Sequence, residues 1–595
     1  MRWPPARQTA PAGAVGLWRD SAARNSNGHG STHGRLPKRV SRRPSRLYNR
    51  SMTGRQRSAW ARGWQRCVKR CAAVTSLHAP GRDQPADQGV AVARLGGFAA
   101  IAAAIVSPAA WPIFLLVNLA VCAVSASLTF GGGSLHPDMT EAWMWGKEFQ
   151  LGYAKHPPAF AWVAGAWFSL LPRSDWSFYL LAAANAAVGL AGVWMIAGLL
   201  LDRPRRWAAI LLLLLMPFFS ITAAKYNANT ALLASWPWVI YFFMRSMDTR
   251  RLVHAAAFAV LAAVALLSKY YSGVLLASCL LAALLHPKRA QYFRSPAPYL
   301  SILVLALLIA PHAAWVAEAN FPTLKYAIAK TAFAPQTVRL RAADAVLTSI
   351  AYVSLAAGAF TYLARRQLRG VVQAVGRALV ARDTAWLSAL TFLPLLLTVA
   401  LALLANVRIS AAFLVPAFFM LPIFVLRTAG LEVSAGMLAF LLRAVVATWC
   451  ALLLVAPALG YAAARFHWGP AAEPHRELAR AASELWHQTF RSRLDVVTGD
   501  EKYGRALAFY APDAPSFFSL EHPASTPWVS DKRLSASGFL MVCRAWDEAC
   551  LALMKGRDQR HARRANLTVA PRFWGHVGPQ QTLVVLLQAP SAEAP

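Results

Sequence analysis

The stretch Ala191-Gly192-Val193-Trp194-Met195-Ile196-Ala197-Gly198-Leu199-Leu200-Leu201 is followed by Asp202-Arg203-Pro204-Arg205-Arg206 and then by Trp207-Ala208-Ala209-Ile210-Leu211-Leu212-Leu213-Leu214-Leu215-Met216. It reads as the end of one apolar run, a basic connector and the start of the next. A helix needs about 20 apolar residues to cross the hydrocarbon core of a bilayer. Inside lipid each backbone amide must find its partner within the segment, which predicts helices and not open sheet. The basic connector predicts a turn on the cytoplasmic side, where Lys and Arg are retained. Working outward, further apolar runs appear at Ile302–Ala310 and Phe392–Leu404, in a chain of 595 residues that is 57% hydrophobic and 15% charged. This composition excludes an ordinary soluble enzyme and predicts a polytopic α-helical membrane protein.

Hydropathy places spans near 109–130, 177–201, 207–223, 229–245, 253–267, 270–286, 297–317, 345–363, 384–404, 409–426 and 435–461, about eleven in all. Basic connectors at Thr249-Arg250-Arg251, at His286-Pro287-Lys288-Arg289 and from Arg365 to Arg382 fall on the same side as Asp202–Arg206. The N-terminus is therefore expected in the cytoplasm and residues 465–595 outside it, in a bacterial inner membrane. That C-terminal part mixes helix-like and strand-like pieces, such as Glu473–Arg491 and Thr582–Leu587, and predicts a small periplasmic α/β or α+β domain. The spans, 109–461, carry two longer outer loops, 131–175 and 318–344.

The net charge of +35 does not point to nucleic acid. Much of it sits in residues 1–90, and most of the remainder flanks apolar runs, where it orients spans and attracts anionic lipid. No nucleic-acid motif accompanies it. The N-terminal segment, with Lys38-Arg39-Val40-Ser41-Arg42-Arg43-Pro44, is too polar to bury a core and is expected to be disordered. It reads as a cytoplasmic tail or as the product of a start codon placed too far upstream. Cys67 and Cys71 within it lack further ligands for zinc. Cys122, Cys279 and Cys450 lie in apolar spans as packing residues. Cys543 and Cys550 fall in the outer domain, where an oxidising compartment favours a disulfide between them.

Chemistry concentrates in the first outer loop. It reads Leu135-His136-Pro137-Asp138-Met139-Thr140-Glu141-Ala142-Trp143-Met144-Trp145-Gly146-Lys147 and continues through Gly152-Tyr153-Ala154-Lys155-His156-Pro157-Pro158. Asp138 and Glu141, three apart, share a face if the segment is helical. The carboxylates also fit ordinary solvated loop charges, and Trp143 and Trp145 fit the aromatic belt of a membrane interface. His136 and His312 are lone histidines with no metal-ligand spacing around them. No Walker motif, dinucleotide fingerprint or nucleophile elbow is present.

Asp138 and Glu141 followed by Gly152-Tyr153 and His156-Pro157-Pro158, with Leu267-Ser268-Lys269-Tyr270 among the spans, resemble the family 39 glycosyltransferases. That family includes the protein O-mannosyltransferases and the bacterial aminoarabinose transferase. The likeness covers about residues 110–340. It implies the GT-C fold, with a cavity between outer loops and spans, and transfer of a sugar from a polyprenyl phosphate to an extracytoplasmic acceptor such as a lipid, polysaccharide or protein. The enzyme would be a hexosyl- or pentosyl-transferase, with inversion at the anomeric carbon.

By position in the family motif Asp138 is the catalytic acid residue, a base near the acceptor oxygen and a stabiliser of positive charge at the anomeric carbon. Glu141 is the second candidate. Lys155, His156, Lys225 and Lys269 are the groups expected near the lipid phosphate. His156 stands where a lysine of a Lys-Pro-Pro motif stands in the aminoarabinose transferase. Asn229 replaces a second acid that many members carry, which leaves Asn227 and Asn229 as partners for sugar hydroxyls. No cofactor is demanded; a divalent cation is the one the family leaves open, with no metal ligands assigned. The loop with Lys325, Tyr326, Lys330, Arg339 and Arg341 occupies the place of a cavity cover. Two rival readings are a transporter or flippase of a lipid-linked sugar and a catalytically dead relative. Neither the paired halves with broken helices common in transporters nor any internal repeat is evident.

Overall fold

The structure is a computed structural model that describes residues 110–329, 335–407, 409–557 and 562–591. The basic segment 1–90, with Cys67 and Cys71, lies outside the described residues, as does Lys330. The chain runs through α1 (Ala110–Phe130), two shorter helices α2 (Pro137–Glu148) and α3 (Ala159–Leu170), then α4 (Asp175–Leu200) and α5 (Arg203–Leu214). Next come α6 (Ala231–Thr249), α7 (Leu252–Ser268) and α8 (Gly273–Leu285), then α9 (Ala297–Glu318), α10 (Pro322–Ala329) and α11 (Pro335–Ala364). The apolar part ends with α12 (Leu368–Val380), α13 (Ala385–Leu404), α14 (Leu421–Thr428) and α15 (Ala435–Phe466).

Six helices among the described residues are long and apolar enough to cross a membrane: α1, α4, α9, α11 from Gln336 onward, α13 and α15. Two broken pairs bring the number to eight, 203–214 with 217–224 bent by 76° and 411–417 with 421–428 bent by 45°. The count of about eleven spans is thus not reproduced. In the first pair Met216 is extended (ψ 139°) before Pro217, because a residue preceding proline avoids the helical region. The remaining expected spans fall on α6, which carries Arg245 and Asp248, on the 17-residue α7 and on the 13-residue α8. Hydropathy windows ran across the break at Lys269, where the backbone is extended (φ −162°, ψ 128°).

The described residues of segment 318–344 include α10 and the first turns of α11, with Arg339 and Arg341 exposed on the latter. Basic connectors meet at one end of the bundle. There Lys288 pairs with Asp248 at 2.7 Å, and His286 packs edge-on to Trp386.

After α15 the chain forms α16 (His475–Thr489), β1 (Val496–Gly499), α17 (Glu501–Tyr510), β2 (Ser516–Phe518), β3 (Phe539–Arg544), α18 (Glu548–Gly556), β4 (Ala562–Val569), a short β5–β6 ribbon (Arg572–Phe573, His576–Val577) and β7 (Gln581–Gln588). The five-stranded sheet has the order β2-β1-β3-β7-β4, with β1 parallel to β2 and β3, and β7 antiparallel to both its neighbours. The β1–α17–β2 crossover buries runs such as Val496-Val497, as strands covered on both faces require. Cys543 on β3 and Cys550 on α18 form a disulfide with their Cα atoms 5.7 Å apart.

One face of this sheet has its own core, with Val496, Phe518, Met541, Met554 and Leu586, and the other face packs on the membrane-side part of the chain. Trp143, Met144 and Phe160 of segment 131–175 share one buried cluster with Trp486, Leu507, Phe509 and Val585. Trp143 meets the Phe509 ring edge-on at 5.4 Å, and Trp145 stacks on Tyr153 at 4.9 Å. Both tryptophans are buried, so the aromatic-belt alternative for them is corrected: α2 lies between α3 and α17 and has little face left for lipid. Cys122 and Cys279 are buried, but Cys450 is exposed and is no packing residue. The buried stripe of α15 includes Val445 and Trp449, and one residue further on the helix surface turns about 100° away.

Candidate active site

The site begins at the N-terminus of α2. Pro137 occupies the first turn, where its missing N–H costs nothing, and His136 caps the helix by accepting from the Asp138 N–H through Nδ1 at 3.1 Å. This fixes Asp138 in the first turn, where the helix dipole favours a negative charge. Its Oδ2 accepts from Lys225 Nζ at 3.0 Å and from Asn227 Nδ2 at 2.9 Å. Lys225 Nζ also lies 3.4 Å from His136 Nε2. Burial by itself would raise the Asp138 carboxyl, but Lys225, His136 and the Asn227 amide outweigh it and hold the group down at about 2. The carboxylate is therefore ionised at any working pH while remaining 43% exposed to incoming molecules.

Asn227 has two duties. Its Oδ1 accepts from the N–H groups of Asn229 (3.0 Å) and Thr230 (3.1 Å), closing the turn that leads into α6. Its amide then has a fixed direction toward Asp138. Asn229 accepts from Lys269 Nζ through Oδ1. Lys269, buried at the break between α7 and the following turn, places its ammonium 3.7 Å from the centroid of the Phe413 ring, a cation–π geometry.

Glu141 shares a helix face with Asp138 but belongs to a second network. Its Oε1 receives Lys155 Nζ at 2.9 Å and Arg505 Nη1 at 2.7 Å. Arg505, on α17, is itself largely buried and also pairs with Glu501. His156 is enclosed by the rings of Trp145, Phe160 and Tyr326. Burial, followed by the charge of Lys269, pushes its imidazole down to about 4, so it is neutral near pH 7. His312 bridges Leu151 O (Nδ1, 2.7 Å) and Tyr270 Oη (Nε2, 2.6 Å).

The fold thus gathers Asp138, Lys225, Asn227, Asn229 and Lys269 in one chain of contacts, with Glu141 and Lys155 in the neighbouring one. Sequence reading missed Arg505 and Phe413. Arg505 sits four residues after Glu501 and reads as a surface pair, and Phe413 reads as span filler; neither carries a local signal for the site. Among the described residues no group of three or more His, Cys, Asp or Glu could hold a metal ion. Around Asp138 stand the His136 imidazole, the Asn227 amide N–H and the Lys225 ammonium, so a cation takes the carboxylate oxygen that a divalent metal would need.

Residues 155–315 match the family model described as dolichyl-phosphate-mannose-protein mannosyltransferase. No curated protein sequence matches the chain. Among solved structures, ArnT from Cupriavidus metallidurans bound to undecaprenyl phosphate is similar, with a TM-score of 0.53 and 16% identity over 82% of this chain and 100% of that one. Its apo state gives a TM-score of 0.50, also at 16% identity, over 82% and 99% of the two chains. The likeness read from the loop motifs therefore extends to the architecture, and the chain is a multi-pass membrane protein with the GT-C fold.

Proposed function

We propose that this protein is a glycosyltransferase that moves a sugar from a polyprenyl phosphate to an acceptor on the extracytoplasmic side. The observation that carries the reading is an ionised, half-exposed Asp138 fixed between Lys225 and Asn227, with Lys269 two contacts further on through Asn229. The anomeric carbon gains positive charge as the sugar leaves its phosphate, and a preorganised carboxylate stabilises that charge. Two ammonium groups suit the departing phosphate. Transfer of Lys225 from Asp138 to that phosphate removes one of the two donors on Oδ2 and lets the carboxylate take the acceptor proton while Asn227 keeps it in place. Donor binding would thereby create the base it needs.

An apolar cavity of about 740 Å³ between α11 and α13 supports a polyprenyl donor. Leu414 and Phe418 line it, and Leu414 is the neighbour of Phe413, whose ring faces Lys269. The ArnT structure with undecaprenyl phosphate shows that the fold can hold such a lipid. With the basic connectors in the cytoplasm, α2 and the sheet lie outside. Purified protein supplied with a labelled polyprenyl-phosphate sugar and envelope lipid or protein acceptors should give labelled product. Transport of the intact donor without cleavage would instead establish the flippase reading.

A further inference from the structure

The β5–β6 ribbon reaches from the C-terminal domain to the membrane-spanning part. Its strands pair Arg572 with Val577 and Phe573 with His576, which leaves Trp574-Gly575 as a two-residue tip. Both tip residues lie in the left-handed region, with φ 48° and 77°, as the tight turn of such a hairpin requires. Asn, Asp or Gly normally fills the first of these places, because a larger side chain is crowded there by its own Cβ. A tryptophan kept in that conformation at an exposed tip points to a use for its ring.

Phe573 fixes the ribbon. It is buried against Ala463 and Ala464 of α15, while His576 meets the Tyr461 ring at 5.1 Å. Trp574 then lies against Gly460, where an added Cβ would come within 2.8 Å of its Nε1. The depth of that point follows from α15 itself. Residues 444–464 carry no charge between Arg443 and Arg465, a run of about 30 Å that matches the hydrocarbon core. Gly460 is five residues short of Arg465, about 7 Å inside that boundary. Around this level Tyr461, Phe466, Trp468, Trp574 and Val577 are all exposed, and Leu454, Val455 and Leu459 lead up to them along α15. Arg465, near the Phe466 ring at 5.8 Å, and Arg572 are exposed as well. An apolar recess of about 250 Å³ lies in the same patch, lined by Leu459, Ala463, Trp468 and Phe573.

We propose that the β5–β6 ribbon inserts Trp574 into the bilayer at the boundary between hydrocarbon and headgroups, and that this patch is a phospholipid contact of the C-terminal domain. A ring that is apolar apart from one N–H is favoured at that boundary. The two arginines suit headgroup phosphates. A protein partner would have to reach the flank of a span below its last arginine, where lipid already stands. This contact needs only the membrane spans and holds whether or not the chain transfers a sugar.

The test uses the full chain with the photo-cross-linking residue benzoylphenylalanine in place of Val577, reconstituted in phospholipid vesicles and irradiated. Adducts are counted by mass spectrometry after digestion. Leu454, on the exposed flank of α15, is the positive site. Leu553 is the negative one, on α18, which covers the sheet face turned away from the spans. Phospholipid adducts at position 577 should approach the yield at 454 and exceed that at 553 about tenfold. Trp574→Ala in the 577-labelled chain should lower the yield about fivefold, the loss of one interfacial ring. A ribbon held by Phe573 alone would leave that yield unmoved, which overturns the role of Trp574. Lipid adducts at 454 with none at 577 overturn the contact. Cross-links from 577 to a second protein chain in place of lipid overturn it as well and assign the patch to a protein partner.

Discussion

Replacing Asp138 by Asn tests the site with little change of shape. The substitution removes the charge that faces Lys225 at 3.0 Å and keeps an acceptor for Asn227. The depression of the carboxyl to about 2 corresponds to about 2 kcal/mol if taken at face value. The side chain is 43% exposed, however, and screening brings a pair of this kind to about 1 kcal/mol or less. The sign is that of a depressed acid: the stabilisation is complete above the unfolded carboxyl's titration and is lost as pH falls through about 2. Asp138→Asn should therefore lower the unfolding temperature only slightly at pH 7. Loss of a group that both stabilises charge and accepts a proton should slow transfer by about 10²–10⁴-fold. Thermal unfolding of the detergent-purified variant and turnover of a labelled polyprenyl-phosphate sugar give the two numbers. Transfer within a few-fold of wild type, in a variant that folds normally, would refute the role of Asp138.

Breaking the link between α2 and the C-terminal domain should cost more stability than that. Arg505→Met leaves Glu141 with Lys155 alone, a loss of about 1–3 kcal/mol for a largely buried pair with one partner retained. A double-mutant cycle with Glu141→Gln should show coupling above about 0.5 kcal/mol, and strict additivity would contradict the geometry. His156 and His475 are each held by burial at about 4, so the unfolded chain binds protons that the folded one refuses. Stability should then fall as pH drops from about 6.5 to 4, and the variant His156→Gln should flatten part of that slope in unfolding scans at pH 7 and pH 5. Reduction and alkylation should add two labels at Cys543 and Cys550, and replacing both by Ser should cost about 2 kcal/mol. Two free thiols in unreduced protein would contradict the pairing and the outer placement.

The amino-acid sequence by itself determined the solvent of this fold. Runs of twenty apolar residues between arginine clusters allow only helices across lipid, and a proline-led acidic turn followed by His156-Pro157-Pro158 marked the loop where chemistry gathers. Lys269 could be singled out because an ionisable group at such a depth needs a reason to be there, and Asp138 and Lys225 only through the family resemblance of the loop motifs. How many helices cross, and where they break, depended on Pro217 and on the extended Lys269, which hydropathy averages away.

Only the tertiary structure decided which charge meets which. It separated Asp138 from Glu141 although both lie on one helix face. It brought Arg505 from more than 350 residues away to Glu141, and it buried Trp143 against Phe509 instead of leaving it to the membrane surface. Periodicity and composition report what a segment can bury. The partner is set by packing between segments distant in the chain, and no local pattern encodes that.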